Sequence, residues 1–210
     1  MKTIFAFAVL LSVSAIACAQ SAADSTEIKF NQLLEQTGMT FKKPDGSVNT
    51  PIVKNRQIHY DYAVNYPTRN IEVRYTIVPM GKRVTEYQEF QKNHAPGSWM
   101  ADPNKMLTGL IYATLINAGG GVRDTTIKGS MFTPANVKRE FGADAGGFFM
   151  VSVKNNSFGT DYKFCSMVAL QKDNIANVYI FYLCNSMKEL FDSYQAIGPQ
   201  NIFYALKFKD

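Results

Sequence analysis

The chain has 210 residues, of which 46% are hydrophobic and 19% are charged, and its formal net charge is +5. This length and hydrophobic content suit one domain with a sizeable core. Basic and acidic residues are interspersed rather than gathered in blocks, so the charge pattern argues against a nucleic-acid-binding protein.

Residues 1–19 have the pattern of an export signal. Lys2 supplies a positive charge, and the apolar run from Ile4 to Val13 is too short for a permanent transmembrane helix. No later segment is apolar and long enough to predict a membrane span. We therefore expect an exported protein, periplasmic or secreted.

Two peptidases could cut this signal. Ala17-Cys18-Ala19 matches an ordinary signal-peptidase site, which would leave a mature chain beginning at Gln20. The run from Ala15 to Cys18 resembles a bacterial lipobox, which would leave Cys18 lipidated and the protein anchored in the outer membrane. Ala15 stands where a lipobox usually has Leu, which favours the first cut.

The first half of the chain predicts helix, then hairpin, then two helices. Residues 20–28 are small and polar and predict a flexible leader, so the folded domain is expected over 29–210. Apolar spacing from Phe30 to Thr37 predicts an amphipathic helix closed by Gly38. Period-two alternation over 58–66 and 71–77 predicts an antiparallel hairpin with one face in solvent and Tyr60, Tyr62 and Tyr75 on the other.

Helices are then expected over 84–93, with Tyr87 and Phe90 on the apolar side, and from the capping Asp102 to Gly119. The irregular loop between them carries Trp99, the only tryptophan. The second half predicts strands at 122–132, 147–153, 162–171, 175–184 and 202–208, with a helix after Thr133 and another after Ser186. The whole pattern predicts one α+β domain, with an antiparallel β-sheet sandwiched between helices.

Cys165 and Cys184 fall about level across the hairpin predicted at 162–184. Two of the three cysteines remain once a signal that includes Cys18 is cut off, and an even number of cysteines in an oxidising compartment permits a disulfide. Two buried, inert thiols are the alternative, because a one-residue error in the turn would place the cysteines on opposite faces. Two sulfurs and two distant histidines have no recognisable metal-ligand spacing, so neither a metal nor a cofactor is predicted.

This order of elements, ending in the strand from Asn201 to Phe208, resembles the Mog1/PsbP-like arrangement, an α/β/α sandwich, over about residues 40–208. The chain is also similar to small exported Bacteroidetes proteins of unknown function. The resemblance implies an assembly or binding factor rather than an enzyme.

The two histidines are the candidate catalytic bases, but neither is accompanied by a nucleophile motif; the run from Gly97 to Met100 does not match G-x-S-x-G. The sequence therefore favours an exported non-catalytic protein that binds an envelope protein or a small ligand. We expect its groove at loop 94–100, lined by Trp99, His94 and Tyr62. The alternative is a periplasmic or secreted hydrolase with a non-standard site that uses His59 or His94.

Overall fold

The computed structural model describes residues 25–55, 57–121, 127–195 and 201–209. The predicted signal, with Cys18, lies outside these ranges. A first helix, α1, covers residues 25–36, so the prediction of a flexible leader is wrong for residues 25–28. Phe30 and Leu34 of α1 are buried, as their spacing predicts, and Gly38 follows the helix with a φ of 61° that favours glycine.

Two antiparallel sheets make up the β-structure. Nine strands are described: β1 (Met39–Phe41), β2 (Val48–Asn49), β3 (Tyr62–Tyr66), β4 (Ile71–Pro79), β5 (Lys128–Met131), β6 (Ala145–Ser152), β7 (Phe164–Lys172), β8 (Ala176–Cys184) and β9 (Leu206–Phe208). Seven of them form the main sheet in the order β2-β3-β4-β8-β7-β6-β5, and β1 pairs with β9 in the other sheet. Every residue of β8 is buried, as expected for a central strand covered on both faces.

Four further helices begin and end near the residues that predicted them: α2 (Gly81–Asn93), α3 (Leu107–Ala118), α4 (Pro134–Phe141) and α5 (Met187–Gln195). The Asp102 carboxylate accepts from the Asn104 N–H at 3.0 Å and caps a 3-10 turn, Pro103–Lys105, that leads into α3. The Thr133 hydroxyl caps α4 in the same way. Among the described residues, no helix is both long enough and apolar enough to cross a membrane.

Helices cover both faces of the main sheet. On one face, residues of α1, α4, α5 and the β1–β9 pair form a hydrophobic cluster with alternate residues of the strands. On the other face, α3 packs with Ile58 and Phe158 against the remaining strand residues. The predicted α+β fold, an antiparallel sheet between helices, is therefore confirmed.

The hairpin formed by β3 and β4 has no solvent-facing side, so that prediction is wrong. Glu72, Arg74 and Thr76, the polar residues of β4, are all buried. The Arg74 guanidinium donates to the Phe158 carbonyl at 2.6 Å, so the chain around Phe158 covers this face of the hairpin. The alternation along β4 is real, but both of its faces contribute to the interior.

Strand β3 begins later than the predicted residue 58, because a side chain interrupts the ladder. The Asp61 carboxylate accepts the Ile77 N–H at 2.8 Å, a donor that a continued β3 would otherwise pair with its backbone. Residues before Asp61 then change sides. The Tyr60 ring lies under the Arg74 guanidinium at 4.4 Å and not beside Tyr62, so the predicted shared face of Tyr60 and Tyr62 is wrong.

Cys165 and Cys184 are buried free cysteines, which corresponds to the alternative of two buried thiols and not to the disulfide. Across the β7–β8 ladder Cys165 pairs with Leu183, and Cys184 pairs with Phe164. The two cysteines are one residue out of register, which puts their side chains on opposite faces of the sheet. Cys165 belongs to the α3 side of the core and Cys184 to the α1 side.

Candidate functional site

An open groove lies between α2 and the loop that leads to α3. It has a volume of about 560 Å³, and we call it the tryptophan groove. It is lined by Tyr87, Phe90, Gln91, His94, Ser98, Trp99, Met100, Ala101, Asp102, Lys105 and Met106. Three aromatic side chains and two methionines make the surface largely apolar, and the loop at 94–100 is where the sequence predicts a groove.

Trp99 is the most exposed large hydrophobic residue of this surface. Its relative exposure is 82%, and in the described part of the chain no other aromatic ring packs on it. An indole is normally well buried in a folded monomer, because its large apolar area favours burial. The fold therefore does not need Trp99 for its core.

The local sequence explains why this loop is presented outward. Ser98 N–H donates to the Ala95 carbonyl, which closes a tight turn around Gly97 (φ 84°). The Asp102 cap then starts the next helical turn. Trp99 lies between two anchored turns, and its position is set by backbone hydrogen bonds on both sides.

His94 is fixed against α2. Its Nδ1 lies 3.1 Å from the Phe90 carbonyl oxygen, and its ring stacks on the Phe90 ring with 5.0 Å between centroids. Because a carbonyl can only accept, Nδ1 carries the proton, and Nε2 is an acceptor when the imidazole is neutral. His94 and Trp99 thus line the same groove.

The groove also contains a serine and an aspartate, but their hydrogen bonds go to the backbone. The Ser98 hydroxyl donates to the Ala95 carbonyl at 2.6 Å. Asp102 is occupied by its capping bond and lies 3.8 Å from the Lys105 ammonium. A Ser-His-Asp triad needs the base bonded to both the hydroxyl and the carboxylate. His94 instead bonds the Phe90 carbonyl.

Tyr62 does not line the tryptophan groove, so its predicted place in the site is wrong. It is buried in the core, where its ring stacks on Phe30 at 4.6 Å and its hydroxyl donates to Asn49 at 2.7 Å. Burial, reinforced by the negative charge of Glu27, raises the pKa of Tyr62 to about 12. It is a structural residue of the β3 face that packs on α1.

His59, the other histidine, lies in a separate cleft beside α1. This α1 cleft has a volume of about 480 Å³ and is lined by Thr26, Lys29, Leu33, Ile52, Val53, Lys54, Asn55, Ile58, His59, Tyr60 and Asp61. The His59 side chain is 81% exposed, and its Nε2 lies 3.1 Å from one oxygen of Asp61. The other oxygen of Asp61 accepts the Ile77 N–H, so this carboxylate orients the imidazole and caps β3 at once.

Neither cleft holds a metal-binding cluster. Among the described residues, no three His, Cys, Asp or Glu side chains are close enough together to hold an ion.

No model of a protein family matches the sequence, and no curated protein matches it.

The four large apolar residues that line the groove beside Trp99 were not predicted from the sequence as site residues: Tyr87, Phe90, Met100 and Met106. Tyr87 and Phe90 were assigned to the apolar side of their helix, and such a stripe usually faces the core. In α2 only Val84 is buried, while Tyr87 and Phe90 stay half-buried at the groove. The sequence signal that could have indicated these groove residues is an apolar helical stripe next to an irregular loop that carries the one tryptophan.

Proposed function

We propose that this chain is an exported, non-catalytic accessory protein that binds a partner protein of the cell envelope through the tryptophan groove. The observation that carries the proposal is the exposed Trp99 beside half-buried Tyr87 and Phe90. Tryptophan and tyrosine dominate the binding energy of protein interfaces when a partner removes them from water. The two methionines of the groove add a flexible apolar surface that adapts to a partner.

A protein partner fits this surface better than a small ligand does. Small-molecule sites are concave and enclose most of their ligand. In the tryptophan groove, both His94 and Trp99 are exposed, so a small molecule there would keep much of its surface in water. A partner protein can cover the loop from above and bury the whole indole.

The hydrogen bonds of the groove support a binding role. His94, Ser98 and Asp102 each bond the backbone, so the polar groups position the loop instead of converging on a reacting atom. General acid–base catalysis requires a side chain within hydrogen-bond reach of the proton it moves.

The test compares Trp99→Ala with Tyr112→Ala in the mature chain, residues 20–210. Tyr112 is a matched control because it is 56% exposed on α3 and does not line the groove. Immobilised wild type and Y112A should retain the same envelope protein, and W99A should not. Because Trp99 is the only tryptophan of this chain, addition of that partner should also shift the fluorescence emission of Trp99 to the blue.

The result is interpretable because W99A should fold normally. Truncation of so exposed a side chain changes the free energy of unfolding by no more than about 0.5 kcal/mol. Equal retention of the partner by W99A and wild type would contradict the proposal, as would an unchanged emission spectrum in the complex.

A hydrolase that uses His59 is the second candidate, because its Nε2 is 3.1 Å from the Asp61 carboxylate. Such a pair can hold an imidazole in the orientation of a general base. Hydrolysis of an activated ester by the mature chain, lost in His59→Ala and kept in His94→Ala, would support this function over binding. If the wild type hydrolyses the ester no faster than H59A does, the hydrolase function is excluded.

A further inference from the structure

The α1 cleft has an aliphatic floor that the fold leaves open. Leu33 on α1 and Ile58 form part of it, and Ile52 and Val53 contribute side chains that are each 37% exposed. A volume of about 480 Å³ lies in the ordinary range of ligand-binding pockets. The cleft therefore offers an apolar surface of ligand size outside the tryptophan groove.

Hydrogen bonds hold the open wall of this cleft in place. The Val53 N–H donates to the Tyr60 hydroxyl at 2.5 Å, and the Tyr60 ring is itself buried under Arg74. The Asn55 side chain accepts the Ile58 N–H at 2.7 Å. Because the backbone of this wall is anchored to the core, Ile52 and Val53 are held at the cleft, where each remains partly exposed.

The charge at the cleft is positive. Lys29 and Lys54 line it, and in the described residues neither ammonium lies within ion-pair distance of a carboxylate. Asp61 is the acid that lines the cleft, and both its oxygens are engaged, one by His59 and the other by the Ile77 N–H. An anion at this rim would meet two lysines and an already satisfied carboxylate.

We propose that the α1 cleft binds a single-chain amphiphile with an anionic head, such as a fatty-acid carboxylate. The alkyl chain lies on Leu33, Ile52, Val53 and Ile58, and Lys29 and Lys54 hold the head. The aliphatic floor favours an alkyl chain, and the two lysines, which have no carboxylate partner among the described residues, favour a negatively charged head group. A neutral alkyl chain would contact only the apolar residues of the cleft, and a small anion would contact only the lysines.

The test is calorimetric titration of the mature chain with decanoate and dodecanoate as free monomers. Each added methylene that leaves water should tighten binding roughly fourfold, so dodecanoate should bind roughly fifteenfold tighter than decanoate. The double variant Lys29→Gln/Lys54→Gln should weaken the binding of decanoate by about tenfold or more, because charge-assisted contacts to the carboxylate are lost. It should leave 1-decanol unchanged.

The matched control is Lys43→Gln/Lys92→Gln, which removes two exposed lysines that do not line the cleft. It should bind decanoate as the wild type does, and Trp99→Ala should too, so this result is separable from the fate of the tryptophan groove. Three outcomes would overturn the proposal. They are no binding of either acid, an equal loss of decanoate affinity in the two double lysine variants, and binding to anionic phosphatidylglycerol vesicles without binding to the monomeric acids. The last would indicate a membrane surface as the ligand.

Discussion

The buried ion pair of β4 shows how one side chain can hold a distant segment. Arg74 is 0% exposed, its Nε donates to Glu72 at 2.5 Å, and its Nη1 donates to the Phe158 carbonyl. Its planar guanidinium also stacks on Tyr60. The hydrogen bonds of this buried charge thus join the sheet to the chain that covers it.

Glu72→Ala should therefore be strongly destabilising. It leaves the Arg74 charge buried without its partner, which costs about 3–5 kcal/mol. Urea unfolding followed by circular dichroism measures the loss. Glu140→Ala is the control, because it breaks the exposed pair with Arg139 and should cost less than about 1 kcal/mol. Equal effects of the two substitutions would show that burial adds nothing to the pair.

The two cysteines should be chemically silent in the native protein. Burial, with the neighbouring Cys184 as a smaller cause, raises the pKa of the Cys165 thiol, and burial raises that of Cys184 to about 11. At neutral pH both are thiols and are shielded from reagent. A protein made of residues 20–210, which contains only these two cysteines, should release no chromophore from Ellman's reagent when native and two equivalents when unfolded. A single fast-reacting thiol in the native protein would contradict the placement of one of the cysteines.

At the scale of elements, local sequence signals predict where helices begin and end, but they do not predict which distant segments pack against each other. The caps at Asp102 and Thr133 could be predicted from the sequence, because each cap acts on the few residues that follow it. The burial of Arg74 was not, since it depends on Phe158, more than eighty residues later.

The same limit applies to the site and to the cysteines. His94 and Trp99 meet because one short loop carries both, which the sequence shows. Tyr62 was misplaced because the sequence does not tell which layer packs on a given strand face; α1 does so here. The sequence left open whether the two cysteines are bridged, because a one-residue difference in register at the turn reverses the face of a side chain.

The start of β3 can be tested through Asp61. Asp61→Ala leaves the Ile77 N–H without its acceptor and should destabilise the protein by about 1–3 kcal/mol. His59→Ala removes only the exposed partner of the same carboxylate and should stay within about 0.5 kcal/mol of the wild type. Chemical denaturation of both variants checks this, and a greater loss of stability in H59A than in D61A would contradict the importance of the strand cap.

At the scale of the whole molecule, buried phenols set the response to alkali. Burial, reinforced by neighbouring tyrosines, raises the pKa values of Tyr75 and Tyr182 well above 10.0. A raised folded-state pKa stabilises the protein fully below the ordinary value and loses that contribution as the pH rises toward the folded-state value. Ionisation of these phenols in the unfolded chain therefore leaves stability unchanged at neutral pH and favours unfolding in strong alkali.

An absorbance titration of phenolate from neutral to strongly alkaline pH should consequently show a late step that coincides with the loss of circular dichroism. Tyr75→Phe should remove one phenolate from this step, since the core position no longer ionises. Phenolate that forms completely while the circular dichroism is unchanged would contradict the burial of these rings.

The strand order of the main sheet also has a kinetic consequence. Strands β2 to β4 and β5 to β8 are each paired with their neighbours in the chain, and the two groups meet along the nine pairs of β4 and β8, about a hundred residues apart in sequence. Each group can form from short-range contacts, whereas their docking must close a long loop and is expected to limit the folding rate. Until they dock, β4 and β8 present open edges that other unfinished chains can pair with. Refolding yield should therefore fall as the protein concentration rises.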